Sequence, residues 1–213
     1  MLGATVLNFG FGGCRMAAHP TAYYDGMSMY RVAEAISSGN YAAITQAAND
    51  LYTAVGDDNR ATVAALSATD WNTVDVAVIS YGTNDWSAGV AQGSATDTTG
   101  ATLLGALNRS IDLIQTAYPN LQLVVLSRLW RNATTWGDSD VNPNGNGVML
   151  AAYGDAIRNR AQAWHLPAYD QYRNSGINLK NQTVYFRDGL HPTQPKGRDR
   201  LASRIAAFLK SAL

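Results

Sequence analysis

Cysteine occurs once in the chain, at Cys14, and histidine three times, at His19, His165 and His191. A single thiol excludes an internal disulfide and leaves the redox compartment open. Neither sign of charge is in excess: 16 basic and 16 acidic residues cancel, which removes the electrostatic case for nucleic acid or an acidic membrane as partner. No apolar run reaches the roughly 18 residues that a membrane-spanning helix needs. The apolar start, Met1 to Cys14, has no Lys or Arg ahead of it. A secretory signal requires that charge, and so does the lipoprotein-like box that Phe11-Gly12-Gly13-Cys14 imitates. A cytoplasmic location is therefore the default. No helix shows metal-ligand spacing, and no Gly-x-x-x-x-Gly-Lys-Ser/Thr phosphate loop exists.

What is present reads as one α/β domain over residues 1–213. Ala4–Phe9 is a short apolar run with β-branched residues and predicts a buried strand. It opens onto Gly10–Cys14. Helices are predicted over about 28–38, 41–55 and 58–67. Asp75–Tyr81 is the clearest buried strand and ends at Gly82-Thr83-Asn84-Asp85. A helix over about 101–118, a strand over 121–127 and a long loop over 128–147 follow. That loop holds Trp130, Arg131 and Trp136. Its Asp138-Ser139-Asp140-Val141-Asn142 fails as a calcium loop, because Pro143 replaces the turn glycine and Met149 the bidentate Glu. A helix over about 148–165, a short strand over 166–170, an irregular stretch over 174–186 and a last helix over about 196–213 complete the chain. The last helix is expected to bury Leu201, Ile205, Phe208 and Leu209. This alternation predicts a parallel sheet with helices on both faces, with ligands beyond the carboxyl ends of the strands.

The most informative stretch is Asp188-Gly189-Leu190-His191-Pro192. It sets a carboxylate three residues before an imidazole in a turn that glycine permits and proline stiffens. An imidazole held by a carboxylate is a general base for a hydroxyl or thiol, although a surface turn with a structural Asp–His contact reads equally well. Asn84 carries a neutral amide that donates twice, and Gly13 can bring a backbone N–H close to a ligand. Two such donors aimed at one point stabilise a tetrahedral oxyanion. As turn residues alone, both would serve local geometry.

These stretches resemble the SGNH (GDSL-like) hydrolase family. Gly82-Thr83-Asn84-Asp85 is similar to its third sequence block, Asp188–Pro192 to its fifth, and Asn8-Phe9-Gly10-Phe11-Gly12-Gly13 to its second. The resemblance implies a three-layer α/β/α, flavodoxin-like fold acting on esters, often short acyl esters or acylated sugars, without metal or cofactor. It implies His191 as base, Asp188 as its orienting acid, and Gly13 and Asn84 as oxyanion donors. Trp86, Trp130, Arg131 and Trp136 are then expected to line the substrate.

The family's first block, a central strand leading to Gly-Asp-Ser, has no counterpart here. The nucleophile is thus unassigned. An upstream segment or a second chain is expected to supply the missing strand between those matched by Ala4–Phe9 and Asp75–Tyr81. Cys14, after Gly12-Gly13, is the alternative nucleophile, activated if a histidine lowers its pKa. A non-catalytic glycan-binding protein on the same scaffold is the other alternative, with Tyr81, Trp86, Trp130 and Trp136 stacking on sugar rings. A dinucleotide site fails, since Arg15 stands at the third glycine position.

Overall fold

In the computed structural model, which describes residues 3–213, a parallel sheet lies between helices in an α/β/α arrangement. Met1 and Leu2, the start of the apolar N-terminal stretch, lie outside the described residues. The chain begins with α1 (Ala22–Asp25), α2 (Met29–Ser38), α3 (Ala42–Val55) and α4 (Arg60–Ser67). Then come β1 (Val76–Ile79), α5 (Thr83–Ser87), α6 (Leu103–Ala117) and β2 (Gln122–Leu126). The long loop folds a small hairpin of its own, β3 (Asn132–Ala133) and β4 (Gly137–Asp138). The chain ends with α7 (Leu150–Ala163), β5 (Ala168–Tyr169), α8 (Gln171–Asn174), α9 (Gln182–Tyr185) and α10 (Lys196–Ala212).

The sheet order is β1-β2-β5, all parallel, with Val76 opposite Gln122, Ile79 opposite Val125 and Val125 opposite Ala168. Leu123 to Leu126 are all buried, as a strand covered on both faces must be. Beside the sheet, α2 packs on α6. Val32, Ala33 and Ile36 of α2 are buried, as are Leu107, Ile111 and Ile114 of α6. Arg109 closes the rim of that pair on Glu34 at 2.6 Å. The α7 helix lies against β2 and β5, with Tyr153, Ile157 and Ala161 buried.

Two expectations are corrected. Ala4–Phe9 forms no strand and pairs with nothing among the described residues, and Val6 and Leu7 are 83% and 57% exposed. An apolar run becomes a strand only when a neighbouring backbone takes up its N–H and C=O groups. The α10 helix covers Leu201, Ile205, Phe208 and Leu209 only in part; Gly197 is its buried residue. Phe208 meets the Tyr169 ring at 5.0 Å, and Leu201 joins a small cluster of Trp130, Ile177 and Phe186, apart from the main core.

The outer edge of β1 has a definite polarity. Gln122 N–H donates to the Asp75 carbonyl at 3.0 Å. In a parallel ladder alternate residues bond to the same neighbour, so Asp75, Ala77 and Ile79 turn towards β2. Val76 and Val78 therefore turn their backbone groups to the open side. The Val78 side chain is 42% exposed, although its sequence context is that of a buried strand.

Truncating the core face of α6 tests which contacts hold this architecture. Leu107→Ala is expected to cost about 2–5 kcal/mol, read as a lower urea midpoint with an unchanged slope.

Candidate active site

The site is assembled from loops that meet at the carboxyl ends of β1 and β2. Beyond β1, α5 presents two consecutive polar residues to the N-terminal coil. Asn84 Nδ2 donates to the Cys14 carbonyl at 2.8 Å. Asp85, fully buried, accepts from the N–H groups of Met16 at 2.8 Å and Ala17 at 2.9 Å. Burial pushes the Asp85 carboxyl up, while these two N–H donors and the positive charge of Arg128 pull it back. Gly13 adopts φ 75°, and a Cβ there would stand 3.0 Å from the Tyr24 ring, so the position suits only glycine. Its N–H meets no acceptor among the described residues. The Asn84 amide uses one hydrogen on Cys14 and keeps the other. The two expected oxyanion donors are thus brought to adjoining residues.

The Asp–His turn is built as its spacing suggests. His191 Nδ1 lies 2.7 Å from Asp188 Oδ2, while Asp188 Oδ1 accepts from the N–H groups of His191 at 2.7 Å and Leu190 at 3.1 Å. The backbone bond from His191, its ring and the Leu190 amide hold the Asp188 carboxyl well below the usual carboxylate range. An ionised Asp188 makes Nδ1 the donor and leaves Nε2 as the acceptor. The His191 side chain is 56% exposed and opens on a cleft of about 520 Å³ lined also by Arg187, Pro192, Thr193, Gln194 and Arg198. Gly189 has φ 76°, and a Cβ there would run into the Asn132 carbonyl. Its own carbonyl accepts from Asn132 N–H at 2.8 Å, which fastens the turn to β3.

Between these halves stands Arg131, whose guanidinium lies 4.6 Å from the centre of the Trp86 ring. Trp86 follows Asn84 by two positions, and Asn132 follows Arg131 directly. Arg131 is thus linked to the Asp–His turn through Asn132 and to α5 through Trp86, which at two positions from Asn84 turns to another face of that short helix. No hydrogen bond joins His191 to Asn84, Gly13 or a hydroxyl group among the described residues.

Trp86 and Trp130, expected on the substrate-lining surface, are core residues instead. Trp86 is fully buried, with its indole N–H on the Val148 carbonyl at 2.8 Å. Trp130 stacks on Phe186 at 6.5 Å and donates to Asp138 at 2.9 Å. Both indoles satisfy their polar edge on the long loops, which lets the rings be buried. Trp136 is half-buried, edge-on to Trp86 at 5.5 Å. Cys14 is buried, and burial pushes its thiol up to about 12, the reverse of what a nucleophile needs. Sequence reasoning missed Asp85. Its signal was an acid directly behind Asn84 just past the end of a strand.

Asp85→Asn would set an amide N–H₂ against backbone donors. It should cost about 1–3 kcal/mol in urea unfolding, the penalty for a buried donor left unpaired. Cys14 in the folded chain should resist iodoacetamide at pH 8 and react once urea unfolds it; rapid labelling of native protein would restore it as a nucleophile.

The GDSL-like lipase/acylhydrolase family model matches residues 10–195. One solved crystal structure is 32% identical, with a TM-score of 0.62 over 70% of each chain. A protein from Lactobacillus plantarum is 23% identical, with a TM-score of 0.60 over 68% of this chain and 71% of its own. A GDSL-like lipase from Bacteroides thetaiotaomicron is 16% identical, with a TM-score of 0.46 over 87% of this chain and 83% of its own. No curated protein matches. No helix among the described residues is long and apolar enough to cross a membrane. The family model spans the N-terminal coil, the Asn84 loop and the Asp–His turn in one alignment, and the chain belongs to the GDSL-like lipase/acylhydrolase family, a family of hydrolases.

Proposed function

We propose that the chain carries the base and oxyanion donors of a carboxylic ester hydrolase, acting on short acyl or acetyl esters, with carbohydrate esters among the candidates. The Asp188–His191 pair carries this reading: the carboxylate grips Nδ1 at 2.7 Å, and Nε2 stays open beside a cleft. In the reaction, Nε2 takes the proton of a serine-type hydroxyl as its oxygen attacks the ester carbonyl. Gly13 N–H and the free hydrogen of the Asn84 amide receive the charge on the carbonyl oxygen. The proton passes from His191 to the departing alcohol. Water, deprotonated by the same imidazole, then releases the acid from the acyl-enzyme. No metal or cofactor has a step in this scheme.

The nucleophile in this reading rides on an extended segment, from upstream or from a second chain, that pairs with the open edge of β1. Val76 and Val78 offer that segment their backbone groups, and the exposed Val78 side chain would be covered by it. That no hydroxyl group among the described residues bonds His191 favours a second reading, a glycan-binding protein that does not cleave. Hydrolysis of p-nitrophenyl acetate separates the two. His191→Ala is expected to lower kcat/KM by more than about 10²-fold, the low end for losing a general base. A fluorophosphonate followed by peptide mapping should label a serine; binding without turnover or labelling would favour the second reading.

A further inference from the structure

Charged side chains leave water only when something takes over from it. Most arginines here obey that rule. Arg158 and Arg173 share Asp170, Arg109 has Glu34, and the buried Arg128 donates to the Leu126 carbonyl at 2.8 Å and faces the charge of Asp85. Arg131 does not. It is 3% exposed, yet its guanidinium meets no carboxylate or carbonyl among the described residues. Its Nε is sealed without an acceptor, as is that of Arg128, but Arg128 keeps its bond to the Leu126 carbonyl and Arg131 has none. Burial alone acts on its charge, and pulls its pKa down. The ring of Trp86 faces the guanidinium, and cation–π attraction offsets only part of the lost hydration.

The position of this orphan charge is informative. It adjoins Asn132, whose N–H holds the Asp–His turn through the Gly189 carbonyl, and the ester reading places the substrate beside that turn. The cleft beside His191 has the same sign, lined by Arg187 and Arg198 and by no acid. Among the described residues the one carboxylate close to Arg187 is Asp188, at 3.6 Å, and that group is engaged by His191 and two backbone donors.

Resting on the hydrolase reading for where the substrate sits, we infer that Arg131 is an anion-anchoring residue and that the substrate carries a negatively charged oxygen group, carboxylate or phosphate, apart from its ester. A guanidinium over an indole keeps N–H groups in a planar fork, which matches either anion in a bidentate way. Arg131 is assigned to binding, with no part in the bond-breaking steps.

The test reads binding alone, with probes that contain no carboxylic ester: para-methoxybenzoate, its neutral amide para-methoxybenzamide, and para-methoxyphenyl phosphate. In NMR titrations the wild-type chain should bind at least one anion about tenfold or more tighter than the amide, in the range of a charge-assisted hydrogen bond. The Arg131 Nε–H resonance should shift with that anion, and the tighter of the two anions names the source. Arg131→Met should erase the gap and leave the amide unchanged, while Arg131→Lys should keep part of it. Equal binding of anions and amide by the wild type would overturn the inference, as would a preference that survives in Arg131→Met. An equal loss for all probes would do the same, since it marks a packing role. If Arg131→Met fails to fold, the wild-type ratio and the Arg131 Nε–H shift still decide. Failure of p-nitrophenyl acetate turnover would count against the hydrolase and leave this binding result standing.

Discussion

The buried carboxylate of Asp85 is the constraint on which the rest of the site depends. Without it, the chain from Gly10 to Ala17 has no strand to hold it, since Ala4–Phe9 lies unpaired. Two backbone N–H groups converge on one fully buried acid, and the Asn84 amide adds a third bond to the same coil. These three bonds fix Gly13 relative to α5. The desolvation cost of burying Asp85 is met by backbone donors that would otherwise be unpaired as well, so neither side can be removed alone. A loop next to an open sheet edge is thereby made as definite as a strand.

The opposite half of the site is built differently. The Asp–His turn satisfies itself: the carboxylate takes the ring and two backbone amides within four residues. Its link to the scaffold is the bond from Asn132 to Gly189, supported by the Phe186–Pro192 bridge and the stacking of Phe186 on Trp130. Trp130 and Trp86 thus serve the site by locating the β3–β4 hairpin and the Asn84 helix. Neither is a surface on which a ligand rests.

Periodicity made the helices legible, because Leu107, Ile111 and Ile114, and Tyr153, Ile157 and Ala161, repeat on one face. It made β1 and β2 legible because apolar runs of that kind are found within sheets. It misread Ala4–Phe9, where composition was right and the partner was lacking; strand formation is a property of two backbones, and one sequence window holds only one of them. The Asp188–His191 pair could be read at once, since both members lie in the same turn. The Asp85 clamp could not, as its donors stand 68 and 69 positions away. The burial of Trp86 and Trp130 was hidden for the same reason: an indole in a long loop carries no local mark of which face the loop turns inward.

The separate anchoring of the two halves has a consequence for how the molecule responds to heat. The Asn84 half is tied into the main core, whereas the imidazole hangs on a small satellite cluster and a hairpin of two-residue strands. Local opening of such a satellite needs less free energy than global melting. The setting of the Asp–His turn against the Asn84 loop would then fade some degrees before the core gives way. An Arrhenius plot of any reaction this site performs would bend while circular dichroism still reported an intact fold.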